Sequence, residues 1–326
     1  MTSKAQHITI IGGGAWGAAM ASALQRNKAL TITCLVRDKS TQTALQKGLC
    51  PRLPECPLPE PLAATTNPEI LSKTDAIYLV LPASATIEAL AQIAHYARTD
   101  CPVIFCAKGL IETDDGMMFL PEYSKQQDPH RPFAILSGPS FADEVIQGLP
   151  AALVAASWNA ALSALIINHL EPSHLRIYSS DDPLGVAIGG AVKNVIALSV
   201  GICDGLGLGD NAKAALLTRG LAETQRLILH MGGQAKTISG LAGIGDLALT
   251  ASGPHSRNMS YGLALGKGEA LPTALAEGAR SAPLLSARAQ ASAIDMPITT
   301  AVTKALQGAD LDALITDLLA RPAVKE

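Results

Sequence analysis

Short apolar runs bounded by turn residues punctuate the first half of the chain: HITII at 7–11, LTITCLV at 30–36, AIYLVL at 76–81, PVIFCA at 102–107, FAIL at 133–136 and AALVAA at 151–156. Runs this short, with little polar alternation, predict strands buried on both faces of a parallel sheet. Helical periodicity falls between them at 18–26 and 84–96, and a short helix starts at 141. That alternation predicts a doubly wound α/β domain over residues 1–178. The segment 50–61, CPRLPECPLPEP, carries five prolines and predicts a surface loop. Beyond residue 178 the pattern changes. SSDDP at 179–183 offers Asp or Ser as an N-cap and a proline for a first helical turn. The segments 183–204, 210–231, 245–250, 257–266, 282–293 and 298–307 then read as helix, with no convincing strand. The expectation is an all-helical domain over 179–326.

One of these helices carries an anomaly. VAIGGAVKNVIALSVGIC at 186–203 is apolar or glycine at fifteen of eighteen positions, the exceptions being Lys193, Asn194 and Ser199. An ammonium buried without a partner is costly, so such a lysine either lowers its pKa or finds a negative partner. Held that way in a cleft, it can donate or accept a proton near neutral pH. The plain alternative is a lysine that snorkels along an apolar helix to solvent. The stretch approaches the length of a membrane span. A lysine near its centre, no flanking basic cluster and the amphipathic GDNAKAALLTRGLAETQRL that follows favour a buried helix over stable membrane insertion.

With 326 residues the chain can build two domains and a sizeable core. Charged residues are 16%, aromatics 3%, the net charge is −3 and the pI near 6.2. That balance excludes a basic protein built to bind nucleic acid or a membrane surface. The opening MTSKAQHITIIGGG enters a strand within a few residues and lacks the apolar core of a secretory signal. Six cysteines without a CxxC pair fit a reduced, cytoplasmic protein with free thiols, and seven histidines without ligand spacing argue against a metal site.

Directly after the first strand comes Gly12-Gly13-Gly14-Ala15-Trp16-Gly17, a GxGxxG with a strand before it and a helix after it. Gly12 allows the tight turn, Gly14 lets a pyrophosphate approach the backbone, and Gly17 lets helix and strand pack closely. The helix N-terminus then offers free N–H groups to the phosphates. This context predicts a Rossmann-like dinucleotide site. About 20 residues past the last motif glycine, where the ribose-reading residue belongs, the second strand ends in Arg37-Asp38. Arginine there suits the 2′-phosphate of NADPH and an acid suits NADH.

Lys108-Gly109 closes the run at 102–107, at the strand end where open parallel sheets bind ligands. GLAGIGD at 240–246 puts Asp246 in a loop from which it can pair with a lysine. Ser256, Arg257 and Asn258 open a helix with a hydroxyl, a guanidinium and an amide, a combination suited to a phosphate. The plain alternative is an ordinary serine cap beside a solvated arginine.

Taken together, GGGAWGAAMA at 12–21, CAKGL at 106–110, SGPSFADEV at 137–145, the long segment at 189–223, GLAGIGDLALT at 240–250 and SRN at 256–258 resemble the bacterial-type NAD(P)-dependent glycerol-3-phosphate dehydrogenases. The matching segments span most of the chain in the family's order. The resemblance implies reversible reduction of dihydroxyacetone phosphate, a small phosphorylated triose, to sn-glycerol 3-phosphate with NADPH or NADH, for phospholipid synthesis. It makes Lys193 the general acid/base, Lys108 a second lysine touching substrate and coenzyme, and Asp246 the third member of the catalytic cluster. Gly138 and Ser140 would line the substrate, with Ser256, Arg257 and Asn258 on its phosphate. Gly12, Gly14, Ala15, Trp16, Gly17, Arg37, Ala142, Arg257 and Glu277 would touch the coenzyme. A homodimer is the family's usual assembly. The chain departs from the family at LVLPASA, 79–85, and at Cys34-Leu35-Val36, which lacks a tryptophan common before the arginine.

The residues agree with that chemistry, since hydride arriving at a ketone carbon leaves charge on oxygen that an ammonium can stabilise and then protonate. Two other readings stand beside it. A 3-hydroxyacid dehydrogenase also joins a Rossmann domain to a helix-borne lysine, but usually with an asparagine one turn later, whereas here Asn194 is adjacent and position 197 is alanine. A non-catalytic NAD(P)H-sensing protein would need neither Lys108 nor Lys193.

Overall fold

The structure, a computed structural model, describes residues 5–107, 110–113, 116–253, 256–273 and 276–320. The chain divides into two compact units, Met1–Ala187 and Ile188–Glu326.

The first unit contains the strands β1 (Gln6–Ile11), β2 (Leu30–Leu35), β3 (Ala64–Thr65), β4 (Ala76–Leu79), β5 (Val103–Phe105), β6 (Leu110–Thr113), β7 (Gly116–Phe119), β8 (Phe133–Ser137), β9 (Ala151–Ala156) and β10 (Leu175–Ser180). Eight of them form one sheet in the order β10-β9-β8-β5-β4-β1-β2-β3, while β6 and β7 make a separate antiparallel ribbon. The order reverses at β1, as in a doubly wound sheet. Pairing is parallel except between β8 and β9. The central strands are apolar on both faces because helices cover both, and Ile8, Ile10, Ile77, Leu79 and Ile104 are fully buried. The helices are α1 (Ala15–Gln25), α2 (Lys39–Gln46), α3 (Thr86–Tyr96), α4 (Leu120–Gln127), α5 (Ala142–Gln147) and α6 (Ala160–Leu170).

Several of these elements escape the periodicity. KSTQTALQ of α2 buries only Leu45, so its helical pattern carries almost no apolar signal. LRIYSS of β10 is half exposed because it is an edge strand. α1 begins at Ala15 instead of residue 18, because Gly17 lies inside its first turn.

The second unit holds most of α7 (Pro183–Gly205), then α8 (Gly209–His230), α9 (Asp246–Ala251), α10 (Arg257–Lys267), α11 (Glu277–Ala291), α12 (Pro297–Leu306) and α13 (Leu311–Leu319), with no strand among its described residues. Asp182 caps α7, its Oδ1 accepting from Gly185 N at 2.8 Å, with Pro183 opening the helix. By length and hydropathy α7 could cross a membrane, yet 94% of its most apolar window is buried within the protein. It is a core helix. The GLGLGD segment is the turn between α7 and α8, with Gly207 and Gly209 at positive φ.

α7 also packs unusually close to α10. Gly201 and Gly205 on one face Gly262 and Gly266 on the other, and a Cβ at any of the four would strike the backbone of the opposite helix. Small residues four apart on both helices bring backbone against backbone. The lysine-bearing helix is thereby pinned to the helix that opens with Ser256, Arg257 and Asn258.

Candidate active site and coenzyme cradle

In the first unit, Gly12 has φ +124° and a Cβ there would collide with Val80 O, so the turn out of β1 admits only glycine. A Cβ on Gly17 would strike Gly12 O, which lets α1 start directly against the turn. Gly14 differs: nothing lies within 4 Å of its Cβ position, leaving open space beside the backbone at the α1 N-terminus. The first-turn N–H groups of α1 point into that space without intrahelical acceptors. A pyrophosphate fits this cradle by charge and by room. Ala15 and Trp16 form the first turn, with Trp16 partly buried against the core.

Arg37 and Asp38 follow β2, and Asp38 is the N-cap of α2, accepting from Thr41 N at 2.7 Å. Gly138, at φ +145°, turns the chain out of β8, and a Cβ there would lie 2.9 Å from Ala152 O. Ser140 Oγ donates to Gly138 O at 3.2 Å, and Ala142 opens α5. Lys108 lies outside the described residues.

The second unit assembles the other candidates. Lys193 is 7% exposed, and its Nζ donates to Asp246 Oδ1 at 2.5 Å and to Thr250 Oγ1 at 2.7 Å. Thr250 Oγ1 in turn donates to Asp246 O at 2.6 Å, so its own proton is spent and it meets the ammonium as an acceptor. Asp246 begins α9 immediately after a π-helical turn, Leu241–Gly245, and its side chain is 1% exposed. Two charges this deeply buried hold each other in the ionised state only through such close bonding. Asp246, read in the GLAGIGD stretch as a loop residue, thus lies within a helix that continues from the π-turn, as the helix expected over 245–250 also has it.

Asn194, next to the lysine, points to other helices. Its Nδ2 donates to Glu277 Oε2 at 3.3 Å, and its Oδ1 accepts from Asn258 Nδ2 at 2.9 Å. Asn258 Oδ1 accepts from Gly278 N at 2.8 Å. Ser256 caps α10 through its Oγ, which accepts from Met259 N at 3.3 Å, while Arg257 is exposed. So Lys193 and Asp246 come together, and so do Ser256, Arg257 and Asn258 at one helix start, with Glu277 joined to them through Asn194. Thr250 and Asn194 are additional polar members of the site. Thr250 had a legible signal: DLALT places it four residues from Asp246, on the same face of a helix.

Among the described residues no cluster of histidine, cysteine or acidic side chains could hold a metal. All six cysteines are free and buried.

The N-terminal model of the NAD-dependent glycerol-3-phosphate dehydrogenases matches residues 7–163, and the C-terminal model of the same family matches residues 182–315. The glycerol-3-phosphate dehydrogenase [NAD(P)+] of Agrobacterium fabrum is 38% identical over 98% of this chain and 99% of its own length. Its counterpart in Bradyrhizobium sp. (strain ORS 278) is 41% identical over 99% and 98%. A crystal structure of glycerol-3-phosphate dehydrogenase from Coxiella burnetii superposes with a TM-score of 0.89 at 36% identity, covering 97% of this chain and 99% of that one. These matches decide for the triose-phosphate reading over the hydroxyacid and sensing readings. The chain belongs to the NAD-dependent glycerol-3-phosphate dehydrogenase family, and is an oxidoreductase that uses NAD(P) to interconvert dihydroxyacetone phosphate and glycerol 3-phosphate.

Proposed function

We propose that Lys193 is the general acid/base of this reaction, with Asp246 and Thr250 as the groups that hold its ammonium in place. The observation that carries the reading is a lysine at 7% exposure in an apolar helix, bonded to a buried carboxylate and to a hydroxyl whose proton is already spent. The nicotinamide, when bound, supplies the hydride. Lys193 then stabilises the negative charge that develops on the carbonyl oxygen and passes it a proton; in the reverse direction it takes the hydroxyl proton. Asp246 offsets the desolvation of the ammonium, and Thr250 fixes its direction.

The substrate phosphate is assigned to the α10 N-terminus. There Arg257 is exposed and Ser256 caps the helix, and a guanidinium at a helix N-terminus suits a phosphate. Asn258 contributes chiefly as a strut, since its amide oxygen is taken by Gly278 and its nitrogen already donates to Asn194. Lys108, Gly138 and Ser140 are assigned to substrate by resemblance. Gly12, Gly14, Ala15, Trp16, Gly17, Arg37, Lys108, Ala142, Arg257 and Glu277 are assigned to coenzyme. The protein is read as a cytoplasmic homodimer; six free thiols support the reducing compartment, and light scattering across a concentration series tests the dimer.

The test of the mechanism is loss of absorbance at 340 nm with dihydroxyacetone phosphate, for wild type and Lys193→Ala, with NADPH and NADH in parallel. Wild type turns over, and the variant loses at least about 10²-fold in kcat, the scale of general acid–base catalysis. A folded variant retaining wild-type kcat would remove Lys193 from the mechanism.

A further inference from the structure

We infer that Gly189 is a positioning residue for the reaction: it lets the π-helical turn Leu241–Gly245 lie backbone to backbone against α7, and so sets the separation at which Asp246 and Thr250 hold the Lys193 ammonium. This deepens the acid/base reading of Lys193 and rests on it.

The contact lies one turn of α7 from the lysine. A Cβ on Gly189 would fall 2.8 Å from Ala242 O and 3.8 Å from Gly243 Cα, so only a residue without a side chain lets the two backbones meet. Gly189 and Lys193 are four apart on α7, and Ala242 and Asp246 are four apart on the facing segment. Residues at that spacing share a helical face. The contact of Gly189 with Ala242 and the bond of Lys193 to Asp246 are therefore successive rungs of one ladder. One turn further on, Ala197 is buried with Ala251, the residue after Thr250.

The turn itself has little freedom. Gly245 N donates to Gly240 O at 3.2 Å, the wide i→i+5 bond of a π-turn, a device frequent at functional sites. A Cβ on Gly243 would strike Ile238 O. Two backbone contacts thus hold the turn, Ile238 O against Gly243 and Ala242 O against Gly189, and Asp246 is the first residue after it. An alanine at 189 has no rotamer to turn aside, and what it meets is a carbonyl. Restoring an ordinary contact of 3.4 Å parts α7 from the turn by about 0.6 Å. The 2.5 Å bond one turn away then loses length and alignment. Exchange of glycine for alanine inside a helix ordinarily raises stability, whereas here it lowers it.

The test measures kcat and KM for dihydroxyacetone phosphate, Kd for NADPH by titration calorimetry, and melting temperature. The proteins are wild type, Gly189→Ala, Lys193→Ala and Val302→Ala, the last a buried truncation on α12 that controls for lost stability alone. Gly189→Ala loses about 10- to 100-fold in kcat, the range for misplaced groups that act together. Its KM and Kd stay within about 3-fold, the mark of an interaction made only in the transition state. Val302→Ala melts lower than wild type and keeps kcat within about 3-fold. Gly189→Ala combined with Thr250→Val costs no more than the worse of the two alone, because both disturb one set of bonds. Asp246→Glu is a second probe that does not depend on Gly189→Ala folding. At a fixed separation the added methylene has no room, and kcat falls at least about 10-fold. Wild-type kcat in Gly189→Ala, the same loss in Val302→Ala, losses that multiply with Thr250→Val, or an Asp246→Glu enzyme of wild-type kcat would each overturn the inference. Lys193→Ala separates it from the reading beneath it. If that variant keeps kcat, the acid/base assignment fails; if it loses kcat while Gly189→Ala does not, only the positioning role fails.

Discussion

The contact between α7 and α10 can be tested by one methyl group. In Gly262→Ala the new Cβ would fall on Leu198 O and lie 2.9 Å from Ile202 N. Both are backbone atoms, so no side chain can rotate away. To reach ordinary van der Waals contact the helices must part by about 1 Å, loosening the reciprocal contacts of Gly201, Gly205 and Gly266. Overpacking of this kind costs about 1–3 kcal/mol. For a unit of this size that lowers the melting temperature by about 2–8 °C per kcal/mol. Activity should suffer as well, because α7 carries Lys193 and α10 opens with Ser256 and Arg257. A 1 Å misplacement of groups that must act together is worth about 10²-fold in rate. The assay pairs calorimetric melting with kcat/KM for dihydroxyacetone phosphate. Gly240→Ala is the control: its φ of −95° suits any residue and its nearest neighbour, Thr237 O, is 3.4 Å from the Cβ position. If Gly262→Ala melts with the control and keeps its kcat/KM, the backbone contact does not position the site.

Other substitutions probe single bonds. Thr250→Val keeps the shape but removes the acceptor at 2.7 Å from Lys193 Nζ, and kcat should fall about 10-fold, the worth of a hydrogen bond to a charged group; an unchanged kcat removes Thr250 from the site. Asp246→Ala leaves the buried ammonium without its carboxylate, and urea unfolding should show a loss of about 3–5 kcal/mol; a loss under about 1 kcal/mol would mean the pair is solvated. Burial pushes His169 down to about 4, so the folded state resists its protonation and stability is lost as pH falls from 6.5 towards 4. That amounts to about 3 kcal/mol, and His169→Gln should flatten the urea midpoint across this range; an equally steep variant places the acid sensitivity elsewhere. Glu223, buried under the start of α12, is pushed up to about 7 by desolvation and has the opposite sign. Its protonation stabilises the fold as pH falls from 7 to 4.5, a slope that Glu223→Gln should abolish in the same titration.

The parts of the molecule legible in the sequence are those where one residue type has one physical use. A strand such as AIYLVL has no solvent face to alternate, and a glycine at the Gly12 turn has no competitor. The parts that were not legible depend on what lies opposite. Gly201, Gly205, Gly262 and Gly266 read locally as weak points in two helices, because glycine lowers helix propensity. Only the pairing of the two helices turns them into a contact surface. Asp38 likewise reads in sequence only as a ribose acceptor, and its use as a helix cap depends on Ser40 and Thr41.

The dipeptide Lys193-Asn194 joins the two cases. Successive residues on an α-helix point about 100° apart. Lys193 therefore faces Asp246 and Thr250 on α9, while Asn194 faces Asn258 on α10 and Glu277 on α11. Two adjacent polar positions tie α7 to three helices at once. That is why so apolar a helix shows no polar stripe at helical period, although the site built on it is polar on two sides. A stripe would be needed only if one face of α7 supplied all the contacts. The lysine was conspicuous in sequence because its charge had no local partner. Asn194 was not, because an amide in an apolar run carries no charge to place. Its role came from partners 64 and 83 residues away.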